Sequence, residues 1–183
     1  SEEDKERKKW ERRDEELRKR VERNEREWER ADKELEEEVK REVERIRREI
    51  EELRRRVEKD GTDDKELRDL LRRLEEELRK LDERLKEYLR RLEENLKRSD
   101  EELKEYLRDL EEKLRRIEEK VKDLDEARKE LERLLEHSRK LLEDVRRSHE
   151  ELVKHSKERA DRIRETLKKL LDDLRKLLED ARK

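Results

Sequence analysis

Three histidines give this sequence its greatest potential for chemistry, because imidazole can act as a general acid or base and as a metal ligand near neutral pH. They are His137, His149 and His155. On one helix His137 and His155 would lie roughly 27 Å apart, so they cannot share an ion. His149 and His155 are six positions apart and face different sides of a helix. The histidine spacing therefore disfavours a metal site.

Other catalytic arrangements are also missing from the sequence. The chain has one glycine and no cysteine, which excludes a glycine-rich phosphate loop, thiolate chemistry, disulfides and cysteine-based zinc sites. It contains no motif that pairs a nucleophile with a base. We predict that the protein is not an enzyme, requires no cofactor and holds no metal.

The charge balance limits the expected partners. Charged residues make up 66% of the 183 residues, but 59 Lys and Arg nearly balance 62 Asp and Glu. Binding to nucleic acid or to a membrane surface needs a one-sided excess of positive charge, so neither partner is expected. The chain has no apolar run approaching the ~20 residues that span a bilayer, and no signal peptide opens it. We expect a soluble protein with no natural location, cytoplasmic on recombinant expression.

Apolar residues recur at helical spacing along nearly the whole chain, which predicts an all-α fold despite a hydrophobic content of only 27%. The apolar stripe is interrupted around Gly61, a residue type that readily ends a helix, and it changes phase again at 122–126. These breaks define three helices of about 57 residues, at about 2–59, 63–121 and 124–182. Because the connections are short, we predict one domain over 1–183, an elongated antiparallel three-helix bundle.

Rare residue types return after eighteen positions in three separate stretches of the chain. The repeated residues are Trp10 and Trp28, Tyr88 and Tyr106, and the pairs His137-Ser138 and His155-Ser156. Eighteen residues make five turns of an ideal α-helix, so the same face returns without supercoiling. The repeat therefore predicts helices that are nearly straight and untwisted.

Antiparallel packing would bring these rare residues together. Hairpins centred near residues 61 and 123 predict that residues at one height have numbers adding to about 122 or 246. This places the residues in two equivalent clusters, Trp10, Tyr106, His137 and Ser138 in one, and Trp28, Tyr88, His155 and Ser156 in the other. A further polar level would contain Asn24, Asn95, Ser99, Ser148 and His149. We predict buried hydrogen-bond networks; alternatively, the Tyr and His residues are half-exposed at the stripe edges.

The histidines lead to a hypothesis about pH. A histidine that is buried in the neutral form has a folded pKa below the unfolded value of about 6.5. If all three were buried in this way, acid would weaken the packing.

The sequence combines an Asp-Gly-Thr-Asp stretch at 60–63, near-total use of Glu, Lys, Arg and Leu, the absence of Cys, Met and Pro, and the repeated clusters. In these features the whole chain resembles de novo designed helical bundles, which are parametric, idealised proteins with built-in hydrogen-bond networks. The resemblance implies a structural scaffold with no evolved ligand.

The alternative function is an interaction module that forms a homo- or hetero-oligomeric bundle. The third helix has a wider apolar face, with the pairs Leu134-Leu135, Leu141-Leu142, Leu170-Leu171 and Leu177-Leu178. Such a face could reach a second copy of the chain or a designed partner helix. A helix in a closed bundle needs extra apolar positions as well, so we favour a monomer that requires no partner.

Overall fold

Three long helices account for all the residues whose backbone the structure describes. The computed structural model describes the backbone of residues 2–60, 65–120 and 125–182 and the side chains of 4–59, 65–119 and 126–180. The helices are α1 (Glu2–Asp60), α2 (Lys65–Lys120) and α3 (Asp125–Arg182), and these residues contain no strand. The predicted all-α fold is confirmed. The turn predicted around Gly61 and the predicted boundaries at 63, 121 and 124 lie outside the described residues.

The helices form because helix-favouring residues carry one apolar stripe each. The chain has no proline, and its single glycine lies outside the three helices. In α2, Leu67, Leu71, Leu74 and Leu78 follow one another at spacings of three and four, and each is at most 2% exposed. This spacing keeps apolar side chains on one helix face while the charged residues remain in water.

Contacts divide the chain into two compact units, each built from one segment of every helix. Unit 1 consists of Ser1–Glu29 and Leu92–Val153. Unit 2 consists of Arg30–Arg91 and Lys154–Lys183. The single domain and the straightness of the helices stay predictions.

Each unit has its own apolar core. The core of unit 1 is formed by Trp10, Leu17, Val21, Leu103, Tyr106, Leu107, Leu110, Leu114, Leu131, Leu135 and Val145. The core of unit 2 is formed by Val39, Val43, Ile46, Ile50, Leu53, Leu67, Leu71, Leu74, Leu78, Leu81, Leu85, Leu167, Leu170, Leu174 and Leu177. Every helix contributes to both cores.

Ion pairs between α1 and α2 show that these helices run antiparallel within each unit. In unit 1, Arg13 Nη2 lies 2.9 Å from Asp109 Oδ2, and Arg20 Nη1 lies 3.8 Å from Glu102 Oε2. In unit 2, Arg45 Nη2 lies 2.8 Å from Glu77 Oε2, and Arg84 Nη2 lies 2.7 Å from Glu38 Oε2. The two residue numbers add to 122 in every pair, which is the value predicted from a hairpin centred near residue 61.

The wide apolar face of α3 is used inside the two units. Leu134, Leu141 and Leu142 pack against the core of unit 1. Leu171 and Leu178 pack against the core of unit 2. Among the side chains of α3 that the structure describes, every apolar one is buried or half-buried.

Replacement of a core residue should destabilise its unit. Ile46 is fully buried in unit 2, so the change Ile46→Ala removes apolar contacts and leaves a cavity. We expect a loss of about 2–5 kcal/mol in the free energy of unfolding, measured by urea denaturation followed by circular dichroism. The matched control is Arg48→Ala, because the Arg48 side chain is 77% exposed, and it should change stability by less than about 0.5 kcal/mol. Equal effects of the two changes would contradict the packing.

Candidate functional site

Among the side chains that the structure describes, five buried polar residues interrupt the apolar cores. They are Asp14, Asp32, Ser138, His149 and Ser156, each at most 7% exposed. A polar group that leaves water costs free energy unless it finds a hydrogen-bond partner, and a charged group costs more. The partners of these five residues define three polar clusters, named below after Asp14, Asp32 and His149.

The Asp14 cluster lies in unit 1 and joins α1 to α3. The Ser138 hydroxyl donates a hydrogen bond of 2.7 Å to Asp14 Oδ1. Arg18, one turn further along α1, donates from Nε to Asp14 Oδ2 at 2.7 Å. Both carboxylate oxygens therefore have a donor, and the negative charge of Asp14 faces a guanidinium group.

An aromatic pair flanked by an arginine also lies in unit 1. The rings of Trp10 and Tyr106 are 6.0 Å apart at an interplanar angle of 47°. The Arg13 guanidinium lies 5.3 Å from the Trp10 centroid and 5.4 Å from the Tyr106 centroid, within the range of cation–π attraction. Burial raises the pKa of Tyr106 above its ordinary value, so the phenol stays protonated.

The Asp32 cluster lies in unit 2 and uses all three helices. Ser156 on α3 donates to Asp32 Oδ1 at 3.1 Å, and the Tyr88 hydroxyl on α2 donates to the same oxygen at 3.3 Å. Arg159 on α3 donates to Asp32 Oδ2 and lies 3.5 Å from Glu36 on α1. Burial raises the pKa of Tyr88 to about 12, which keeps its hydroxyl a donor at neutral pH.

The Asp14 and Asp32 clusters are two versions of one arrangement. Asp14 and Asp32 are eighteen residues apart, and so are Ser138 and Ser156. The Asp–Ser separation along the chain is 124 residues in both. In unit 1 the partners Arg7 and Glu130 differ by 123 in residue number, close to the 124 of Asp14 and Ser138, so these segments of α1 and α3 run parallel. In unit 2 the partners Glu36 and Arg159 also differ by 123, close to the 124 of Asp32 and Ser156.

The two versions differ in the helix that supplies the arginine. In the Asp14 cluster Arg18 comes from α1, and the position eighteen residues later is Glu36. In the Asp32 cluster Arg159 comes from α3, and the position eighteen residues earlier is Leu141. The buried charge is compensated in both clusters, but within one helix in the first and between two helices in the second.

The His149 cluster lies in unit 1 and joins all three helices. His149 is 3% exposed, and its Nδ1 lies 2.8 Å from Asp100 Oδ1 of α2. Its Nε2 lies 3.3 Å from Glu25 Oε1 of α1. Burial lowers the pKa of His149, but the Glu25 and Asp100 carboxylates outweigh burial and raise the pKa above its usual value of 6.5. This direction is opposite to the one expected from a buried neutral histidine.

The remaining predicted polar residues of unit 1 are placed differently from one another. The Trp28 indole donates from Nε1 to Asn95 Oδ1 at 2.7 Å, which joins α1 to α2. Asn24 and Ser99 are half-buried, and Ser148 is exposed. The expected level of Asn24, Ser99 and Ser148 is therefore wrong for Ser148, and its neighbour His149 takes the inward position.

His137 and His155 are exposed, which corrects the expectation that they are buried beside Trp and Tyr. The physical reason is their place on the helix, since each precedes a buried serine by one position and therefore points about 100° away from it. His155 Nδ1 lies 3.9 Å from Glu158 on its own helix. The structure brings together Trp10 with Tyr106, and Tyr88 with Ser156 through Asp32, without either histidine.

The sequence did not lead us to the acidic residues of the three clusters, which are Asp14, Asp32, Glu25 and Asp100. Asp14 lies four residues after Trp10 and three before Leu17, which is core spacing, and Asp32 has the same relation to Trp28. Both acids also follow the repeat of eighteen. An acidic residue at a position of the apolar stripe could therefore have predicted the burial of Asp14 and Asp32. Glu25 and Asp100 have no comparable feature in the sequence.

The chemistry of these clusters is that of hydrogen bonds and ion pairs. Among the residues that the structure describes, no group of three His, Cys, Asp or Glu side chains could hold a metal ion.

Within the same residues, no helix is long and apolar enough to cross a membrane. Ser138 and Ser156 each donate to a carboxylate, an arrangement that fixes the hydroxyl.

Comparisons with known proteins leave the family open. No family model matches the chain, and curated proteins give no significant match. A solved structure described as "Computationally designed three helix bundle" is similar at 20% sequence identity and a TM-score of 0.46. That similarity covers 99% of this chain and 94% of that chain. At this level it supports no conclusion about the present protein.

Removal of a central carboxylate should destabilise unit 2. The change Asp32→Ala leaves Ser156, Tyr88 and Arg159 without their common acceptor. We expect the free energy of unfolding to fall by about 1–3 kcal/mol in urea denaturation at neutral pH, because the Arg159 side chain, 33% exposed, can return to water. Asp69→Ala is the matched control, since Asp69 is an exposed acid of the same unit. A loss no larger than that of the control would show that the cluster contributes nothing.

Proposed function

We propose that this chain is a designed structural scaffold without a natural biochemical activity, in which buried polar clusters specify how the helices pair. The observation that carries the proposal is the duplicated bond from serine to aspartate. Ser138 to Asp14 and Ser156 to Asp32 join α1 to α3 with the same separation of 124 residues. A repeated polar contact at one fixed register is typical of a sequence chosen to favour a single alignment.

The apolar stripes need such a device because they are repetitive. Residues 81–98 and 99–116 are near-copies, so leucine packing alone distinguishes poorly between alignments that differ by one repeat. A shifted alignment would leave a buried carboxylate without its donor, which costs a few kcal/mol. The polar clusters therefore act by penalising wrong alignments.

The third repeat carries apolar residues in place of the aspartate and the serine, and this difference makes the alignment of α1 with α3 unique. Eighteen residues beyond Asp32 and Ser156 stand Ile50 and Leu174, both at most 3% exposed in the core of unit 2. If α3 moved by one repeat along α1, Asp32 would face Leu174 or Ser156 would face Ile50. An apolar third copy leaves the shifted Asp32 or Ser156 without a polar partner, whereas a polar third copy would have supplied one.

A variant in which the Asp and Ser residues of both polar clusters are replaced by the Ile and Leu of the third repeat tests this role. The fourfold variant Asp14→Ile, Asp32→Ile, Ser138→Leu and Ser156→Leu should unfold at equal or higher urea concentration, because apolar pairs often match or exceed buried polar ones in stability. It should lose a unique alignment, visible as extra or broadened peaks in an amide NMR spectrum. The fourfold variant Glu15→Gln, Lys33→Gln, Lys140→Gln and Lys154→Gln changes exposed residues of the same helices and serves as the control. One sharp set of peaks from the apolar variant would refute the proposed role.

We favour a monomer, in which one chain buries its own apolar faces, over an interaction module that binds a partner. An interaction module would be supported by an exposed apolar strip on α3, whereas the described apolar side chains of α3 are buried or half-buried. Sedimentation equilibrium at two protein concentrations should give a mass near 23.2 kDa at both. A doubled mass at the higher concentration would favour the interaction module instead.

A further inference from the structure

The position of His149 has a consequence for pH that the role in helix pairing does not require. Its ring is 3% exposed, and each ring nitrogen lies near a carboxylate oxygen of a different helix, Nδ1 at 2.8 Å from Asp100 and Nε2 at 3.3 Å from Glu25. The contact with Asp100 is a hydrogen bond, whereas Glu25 lies outside hydrogen-bond geometry and acts on the ring through its charge. Only the imidazolium form carries a positive charge that both carboxylates attract.

We propose that His149 is an imidazolium clamp that holds the three helix segments of unit 1 together and releases them when rising pH removes its proton. The proposal stands on the contacts of one buried ring with two helices. It holds whether or not the chain is a designed scaffold.

The groups around the ring support this assignment. Glu25 is the acidic group that faces it from α1, and Asp100 is the one that faces it from α2; their side chains are 22% and 24% exposed. On α3, the residues one turn away are Val145 and Arg146 before the ring, and Leu152 and Val153 after it. Arg146 is exposed, and the charged groups that shift the pKa of the ring are the carboxylates of Glu25 and Asp100.

The sign of the pH effect follows from the direction of the pKa shift. The carboxylates raise the folded pKa of His149 above its unfolded value, although burial opposes them. A raised pKa means that the contribution to stability is complete below the unfolded pKa of about 6.5 and is lost as pH rises through the folded pKa. Unit 1 should therefore be most stable in mild acid, opposite to the behaviour of a histidine buried in its neutral form.

Urea unfolding between about pH 5.5 and pH 9 tests the clamp, because few other side-chain types titrate in this range. Trp10 and Trp28 both belong to unit 1, so tryptophan fluorescence reports on the unit that contains His149. The wild type should lose stability as pH rises. His149→Gln, which cannot titrate, should abolish this dependence. The variant His137→Gln with His155→Gln is the matched control and should keep it, because both residues are exposed.

An NMR titration makes the test quantitative. The ring carbons of His149 should give a pKa above the unfolded value of about 6.5, and each unit by which the measured pKa exceeds that value should appear as a tenfold change in the unfolding equilibrium. If His149→Gln fails to fold, Asp100→Asn serves instead and should lower the measured pKa and flatten the dependence of stability on pH. A neutral ring at pH 6, or a wild type whose stability does not fall with rising pH, would overturn the proposal.

Discussion

The structure depends on one constraint, that a carboxylate removed from water must meet its donors where it is buried. Asp14 and Asp32 lie on the inward stripe of α1, and each is satisfied by a serine of α3. Since the donor stands on another helix, the carboxylate is stable only when the two helices are in one alignment. Leucine side chains account for most of the apolar surface that is buried. The carboxylates restrict the helix alignments in which this surface can be buried without leaving a charge unpaired.

In both aspartate clusters a guanidinium group compensates the charge of the buried carboxylate, although the arginine comes from a different helix in each. Arg18 neutralises Asp14 from within α1, whereas Arg159 reaches Asp32 from α3 and also approaches Glu36. An arginine that bridges two helices adds an attraction between them, and an arginine on the same helix leaves the serine as the link to α3. The two clusters thus share a hydrogen bond but differ in how strongly charge joins the helices.

The sequence predicted the helices and their directions because both follow from simple geometry. The spacing of leucines defines a helix, and a short connection defines an antiparallel neighbour, so Arg13 meets Asp109 at the predicted height. The prediction of buried residues was wrong where a residue type was expected to be buried because it is rare in the sequence. His137 is rare but exposed, whereas Asp14 is one of 62 acidic residues and is buried. Position on the apolar stripe decides burial, and the frequency of a residue type does not. The pairing of His149 with Asp100 depends in addition on side-chain orientation, which spacing alone does not determine.

The contact between Trp10 and Tyr106 has an optical consequence. With their rings 6.0 Å apart, light absorbed by Tyr106 passes to the indole, so the phenol emits little while unit 1 is folded. Separation of α1 from α2 would restore tyrosine emission at shorter wavelength. The pair therefore gives this unit an intrinsic donor and acceptor for resonance energy transfer, and the approach of two helices can be followed without any attached dye.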